Sequence, residues 1–470
     1  MTVCLLTWLP LAVGLAGLLW PRHWQQSTVW TVAWCGLCFV AALTGVLAGF
    51  VESTSIALGL DDFARRALPV AGLWAAAFGW VMLRGDDEGR SAAVGRGGAI
   101  LGGLTLAATS TDLIGLSFAL EMVRIGTTVS RREERGMLDR LLFLGLCVGA
   151  AGCQGVTGSL DLATMRDVLA GVYTPAEPLV PVGRPALVLV GSVALWMIAA
   201  VTPIGIRAVS AVLDERGEPL EQQLAALTAR QLVALLALSR WMAVGLPGLE
   251  AAVTTLLVML SLIAGGCAVW LMDDRQRLDR LLSGFALWQC AGHLLWLTAA
   301  IKATDAMWLP VGWSHDLLVL AAMAAIAVSW VGRSSSLAYL DELRGLGALR
   351  PVSAALLLIP LVSLLGGPLV AGGWLRLTMM SQIFSLHVPG PDDLLFPRLD
   401  VRYALLLWSV VWIVSARAAV EIGRVVLLET PLRIDAWSRG WWAMVVAVLT
   451  ATAVIAAGCC PYLLTLLIER

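Results

Sequence analysis

The stretch LIGLSFALEMVRIGTTV, residues 113–129, holds Glu121 and Arg124 one turn apart inside an otherwise apolar run. An ionisable side chain surrounded by hydrocarbon is costly, and it marks either an ion path or a paired partner. Two readings therefore stand side by side. Glu121 is a proton-coupling site tuned by the neighbouring cation, or Glu121 and Arg124 are a self-contained ion pair spaced for contact along a helix. A second candidate is His293, one turn after Gln289 in LSGFALWQCAGH. Histidine changes charge near neutral pH, which suits proton transfer; a hydrogen-bonded core histidine fits the same spacing. Asp139–Arg140, Asp274–Arg275 and Arg417–Glu421–Arg424 read as interfacial salt bridges, and Arg280 as a snorkelling residue. The chain has no GxxxxGK[ST], HExxH or GxSxG motif and no plausible haem pair.

These residues must be positioned by membrane helices. Hydrophobic residues make up 59% of the 470 positions and charged residues 14%, and the mean hydropathy is +0.84. A soluble domain is far less apolar. Runs of roughly 18 or more apolar residues, long enough to cross ~30 Å of hydrocarbon, recur from end to end. The expectation is an all-α polytopic membrane protein in a lipid bilayer. A formal net charge of −1 with no basic tail argues against nucleic acid. Nine cysteines lie mostly in apolar spans, with Cys35 and Cys38 the one isolated CxxC, and read as small hydrophobes rather than metal ligands. The first segment, VCLLTWLPLAVGLAGLLW, lacks a basic leader and reads as a retained helix.

Apolar length and breaker residues mark about fourteen spans, roughly 3–20, 28–50, 66–83, 96–110, 112–130, 138–156, 186–212, 222–244, 249–272, 279–301, 315–332, 351–379, 402–426 and 440–467. Arginines concentrate in the odd-numbered loops, which places those loops in the cytoplasm and both termini outside. The seventh span contains Pro203, and the twelfth contains Pro360, Gly366, Gly367 and Pro368. Proline and paired glycines within a membrane span break the helical ladder. Breaks five spans apart are the trace of an inverted-repeat transporter, with two ordinary proline kinks as the other reading. GRGGAILGG, residues 95–103, has the small-residue spacing of close helix packing.

Several of these stretches, taken in order, carry a resemblance. LEM around Glu121 resembles an "LEL" glutamate helix, and TGSLDLATM (157–165) a "TGSLDL" segment after a sixth helix. RLDRLLSGFALWQCAGH (277–293), the stretch 337–374 and the terminal AAGCCPYLLTLL complete the set. Together they resemble the antiporter-like subunits of respiratory complex I, most closely its N subunit. The resemblance implies a core of about fourteen helices with two inverted five-helix repeats, approximately helices 4–8 and 9–13, and broken helices 7 and 12. Residues 1–95 would then hold helices 1–3, 96–245 and 246–430 the two repeats, and 431–470 the last helix. It further implies other membrane subunits as partners in a bacterial cytoplasmic membrane. This chain itself would bind no cofactor, with NADH, FMN, iron–sulfur clusters and quinone in partner subunits.

The family passes protons along a glutamate on helix 5 and lysines on helices 7, 8 and 12. Glu121 matches the glutamate. The lysine positions fall on Met197, on or beside Arg230, and on Arg376, and the only lysine in the chain is Lys302. Arginine stays charged and cannot carry a proton. The expectation is a divergent subunit in which transport is lost, weakened or rerouted through Glu121, His293 and water.

Overall fold

The computed structural model describes residues 28–47, 61–83, 90–128, 133–172, 185–213, 219–300, 308–331, 339–385, 401–430 and 441–460, with isolated positions before residue 28. Apolar runs become helices because, in hydrocarbon, each backbone N–H and C=O must be satisfied within its own segment. In chain order these are α1 (Thr28–Leu47), α2 (Asp62–Leu83), α3 (Arg90–Thr109), α4 (Leu113–Gly126), α5 (Glu133–Thr157), α6 (Leu162–Leu169), α7 (Pro185–Leu213) and α8 (Leu220–Val244). There follow α9 (Glu250–Asp273), α10 (Leu278–Ala300), α11 (Trp308–Val331), a 3-10 turn (Leu340–Leu343), α12 (Leu346–Leu349), α13 (Pro351–Leu364), α14 (Ala371–Ser385), α15 (Val401–Leu428) and α16 (Trp441–Cys459). Among the described residues, six helices are long and apolar enough to cross a membrane. The described residues are thus almost entirely helical, and the chain is polytopic. Most of the first expected span, Lys302 and the arginine loops at 84–89, 332–338 and 431–440 lie outside the described residues.

Helix α8 is the hub. It is buried along most of its length and packs against α2, α3, α4, α7, α10 and α11. Its far end is fixed by Arg240, whose Nε donates to the Ser110 carbonyl at 2.9 Å. The same guanidinium pairs with Asp61 and lies over the Phe63 ring.

The TGSLDL segment has a structural task. Asp161 caps α6 by accepting from Thr164 N at 2.9 Å, and Asp112 caps α4 by accepting from Gly115 N at 2.6 Å. The two caps form an antiparallel bridge, with Leu113 N donating to Leu160 O and Leu162 N to Thr111 O. This clamp sets the start of the helix that carries Glu121. A second bridge joins Arg277 to Tyr339, before α10 and after α11.

The small-residue spacing of 95–103 is used for close packing of α3 on α4. A Cβ added at Gly126 would lie 2.8 Å from the Arg96 carbonyl oxygen, and one at Gly103 2.8 Å from that of Ala119. Backbone cannot yield as a side chain can. Gly126→Ala is expected to lower the detergent melting temperature by the equivalent of about 1–3 kcal/mol of overpacking; an unchanged melting temperature would show that the two helices can separate without cost.

Three expectations are corrected. Pro203 does not break its helix: α7 runs without interruption from Pro185 to Leu213. A proline removes only its own N–H, and a side chain engages the ladder beside it, Thr202 Oγ1 donating to Ile198 O at 2.6 Å. The eleventh span begins at Trp308, not near 315. Pro310 stands in the first turn of this helix, where a proline loses no hydrogen bond. Gly312 is required by packing, since a Cβ there would lie 2.6 Å from the Trp296 ring. The salt bridges also pair differently: Asp139 faces Arg124 and Asp274 faces Arg280.

The twelfth span is divided. Helix α13 ends at Leu364 and α14 starts at Ala371. Gly366 has φ +77°; its N–H donates to Ser363 O at 3.0 Å and that of Gly367 to Val362 O at 2.9 Å. This is the Schellman C-cap, which satisfies carbonyls the helix end would otherwise expose, and Pro368 follows where a helix cannot continue. Trp412 Nε1 donates to Leu365 O at 3.1 Å, so the break is closed by protein rather than left to lipid.

Candidate functional site

Two ionic groups lie on either side of α8. In the first, the Arg124 guanidinium spans two carboxylates. Its Nε donates to Glu121 Oε2 at 2.6 Å, its Nη2 also pairs with Glu121, and its Nη1 lies 3.0 Å from Asp139 Oδ2 on α5. Arginine's planar fork suits this double engagement. Arg230 of α8 donates from Nε to Thr127 Oγ1 at 2.7 Å and from Nη1 to the Pro203 carbonyl at 3.3 Å. Arg230, Glu121 and Arg124 line one cavity of about 20 Å³ open to water centres, together with Leu120, Ala199 and Pro203. Two arginines thus face two carboxylates, and the group is balanced in charge.

The second group was not legible in sequence apart from His293 and Arg376. Its centre is Asp316, eight residues into α11, about 12 Å along the axis at 1.5 Å per residue. Arg376 of α14 donates from Nη2 to both Asp316 oxygens, at 3.1 and 3.2 Å. The guanidinium carbon lies 5.1 Å from the Trp288 ring centre and 5.9 Å from that of Trp408, and those rings stack on each other. His315 Nδ1 is 2.8 Å from Asp316 Oδ1, and its Nε2 is 2.6 Å from Ser363 Oγ. His293 Nε2 lies 3.2 Å from Asp316 Oδ2. That distance suits an ion pair. Asp316, His315, His293 and Arg376 are all buried.

Between the groups, α8 turns Thr228 and Gln231 toward a cavity shared with Gln289, His293, Trp313 and Asp316. The Gln289 amide and the Trp313 indole N–H have no protein partner. The cavity leaves about 10 Å³ for water centres, the room one water needs. Arg230 and Gln231 are consecutive, so about 100° of helix separates them and α8 faces both groups at one level. Met197, at the remaining lysine position, is fully buried beside Trp196 and contributes no charge. Among the described residues no cluster of His, Cys, Asp and Glu could hold a metal ion.

Of the residues expected from sequence, Glu121, Arg124 and Arg230 come together on one side of α8, and His293 and Arg376 on the other. Pro203 joins the first group through its carbonyl rather than through a break. Gly366, Gly367 and Pro368 form the break just beyond Ser363. Asp139, Asp316, His315 and Ser363 were missed. The available signal was HD at 315–316 in a run that remains helical back to Trp308.

No family model matches the sequence, and no curated protein matches it. Solved structures do. A chain of respiratory complex I from Thermus thermophilus aligns over 98% of both chains with TM-score 0.72 and 21% identity. A chain of the membrane-bound sulfane sulfur reductase, an archaeal respiratory membrane complex, aligns over 99% of this chain and 96% of that one, with TM-score 0.76 and 15% identity. A chain of the Mrp complex from Dietzia sp. aligns over 99% and 95%, with TM-score 0.75 and 15% identity. The fold is that of the antiporter-like membrane subunits. At these identities the likeness speaks for the fold alone, and it spans several assemblies.

Proposed function

We propose that this chain is a membrane subunit of a complex I-type, redox-driven assembly, in the position of the N subunit, and that it carries a proton path through buried ionisable residues. One observation carries the reading: polar groups run from half-buried Glu121 and Arg124 through buried Arg230, Gln231 and the Gln289–His293 cavity to buried Asp316 and Arg376, across the interior of the bundle. Polar groups inside a membrane bundle are retained where ions or protons pass. In this reading Glu121 and His293 carry the proton, the arginines are fixed countercharges, and water joins them. Neighbouring membrane subunits cover the chain, and NADH, FMN, iron–sulfur clusters and quinone belong to partners. Two inverted five-helix repeats fit the corresponding placement of the two antiparallel bridges, one ahead of α4 and the other ahead of α10. Both termini lie outside a bacterial cytoplasmic membrane.

A tagged chain extracted gently from native membranes tests this assignment. NADH–quinone activity and iron–sulfur partners in the eluate are the expected result. Hydrogenase or antiporter partners, or recovery of the chain alone, would overturn the assembly while leaving the fold.

A second reading is a scaffold that moves no protons, and the charge balance of both groups favours it. Reconstituted complex separates the two. Glu121→Gln and His293→Gln are each expected to reduce proton flux about tenfold or more, the low end of what a proton-transfer group contributes. Unchanged flux in both variants favours the scaffold.

A further inference from the structure

The proton-path reading leaves open where a proton leaves the second group, since Arg376 cannot release one. The hydrogen bonds around His315 answer this. Ser363 sits in the last turn of α13, fully buried, with its Oγ accepting from Gly372 N at 3.0 Å. The same oxygen lies 2.6 Å from His315 Nε2. An ionised Asp316 only accepts, so His315 Nδ1 must carry hydrogen, and in the neutral ring Nε2 accepts the Ser363 hydroxyl proton. Ser363 adjoins the helix break, where the chain leaves α13 and re-forms at Ala371. Gly372 permits the contact: a Cβ there would lie 1.7 Å from the Ser363 carbonyl oxygen.

We propose that the Ser363 hydroxyl is the outlet of this group: His315 exchanges its proton with the α13–α14 break through Ser363, and a proton arriving on His293 drives that release across their shared carboxylate. The proposal rests on the proton-path reading. The groups facing Asp316 are His293 from α10, Arg376 from α14 and its neighbour His315, with Gln289 and Gln231 bordering the cavity and Ser363 beyond His315. Arg376 already balances the carboxylate, so the cluster accommodates one excess positive charge better than two. When His315 holds it, both ring N–H groups are partnered, Nδ1–H by Asp316 and Nε2–H by Ser363. On release the Nε2 proton passes to Oγ while the hydroxyl's own proton leaves to a water molecule, which the proposal requires on the side of Ser363 facing the break. One proton enters the serine and one leaves, and no other reactant is required. Arg376, stacked on two indoles, stays in place as a positioning residue.

The test uses the intact assembled complex in liposomes, with a pH-sensitive dye inside and flux driven by a potassium diffusion potential. Ser363→Ala is expected to lower flux about tenfold with assembly unchanged, and Ser363→Thr, which keeps the hydroxyl, to restore most of it. Wild-type flux in Ser363→Ala overturns the outlet, and so does a Ser363→Thr complex as impaired as Ser363→Ala. If Ser363→Ala does not assemble, Ser363→Cys substitutes a weak hydrogen-bonding group of similar size; its loss of flux supports the outlet and wild-type flux overturns it. Loss of flux in His293→Gln with full flux in Ser363→Ala removes the outlet alone. Full flux in both His293→Gln and Glu121→Gln removes the proton path beneath it.

Discussion

Asp316→Ala is expected to cost about 3–5 kcal/mol, enough to lose most of the assembled protein, because it leaves the Arg376 charge buried without its counter-ion. The guanidinium cannot turn to solvent. It is held over the Trp288 and Trp408 rings, and its side chain is only 8% exposed. The exposed Arg424–Glu421 pair on α15 makes a useful contrast. Its nitrogen–oxygen distance is 2.7 Å, shorter than that of the Asp316 pair, yet Arg424 is 49% exposed. Removing it should cost less than about 1 kcal/mol. On these expectations burial, not distance, ranks the two pairs. A second substitution, Arg376→Leu in the Asp316→Ala background, removes the orphaned charge and should recover part of the loss, since contacting residues are coupled by about 0.5–3 kcal/mol. Melting temperature in detergent and the fraction of chain in the assembled complex are the measurements. A double variant no more stable than Asp316→Ala would show that the cost lies in lost packing around α11, not in charge.

The Asp316 case also marks where sequence reading ends. Long apolar runs fix helices well because hydrocarbon leaves the backbone no other partner: the run read at 186–212 is Pro185–Leu213, and that at 222–244 is Leu220–Val244. The break at Gly366–Gly367–Pro368 was legible for the same local reason, since the left-handed position favours glycine. Pro203 carried a similar signal and gave a continuous helix, because one missing hydrogen bond does not end a helix when the surrounding bundle holds it. Pairing was far less legible. Asp139 stands beside Arg140 in sequence but reaches Arg124 on another helix. Asp316 was lost through a seven-residue error in the start of α11, which moved a buried carboxylate to an apparent helix end. Arg240 carried no local sign that it would bind the Ser110 carbonyl 130 positions away. The resemblance supplied Arg230 and Arg376 as positions; only the packing of helices remote in sequence supplied their partners.

Those partners give the two halves different characters. In the second group a single carboxylate is shared by one fixed cation and two imidazoles. In the first, Arg124 alone joins Glu121 to Asp139, with Arg230 across the cavity. Arg124→Gln is therefore expected to destabilise the assembled protein by about 3 kcal/mol, as the removal of one partner from a largely buried ion group does. The two carboxylates would then face each other across a neutral amide, and like charges at this separation repel. Arg124→Lys should recover only part of the loss, because a single ammonium cannot reproduce a fork whose Nε and Nη2 engage one carboxylate while Nη1 engages another. Asp139→Asn in the Arg124→Gln background removes one of the opposing charges and keeps a hydrogen-bonding group, so it should restore stability further than lysine does. Thermal melting of the three variants orders them. If Asp139→Asn brings no recovery, Arg124 serves Glu121 alone, and the bridge to α5 is incidental. If it does, Arg124 is shared between the two carboxylates, and the bridge to α5 is part of what holds Glu121 in place.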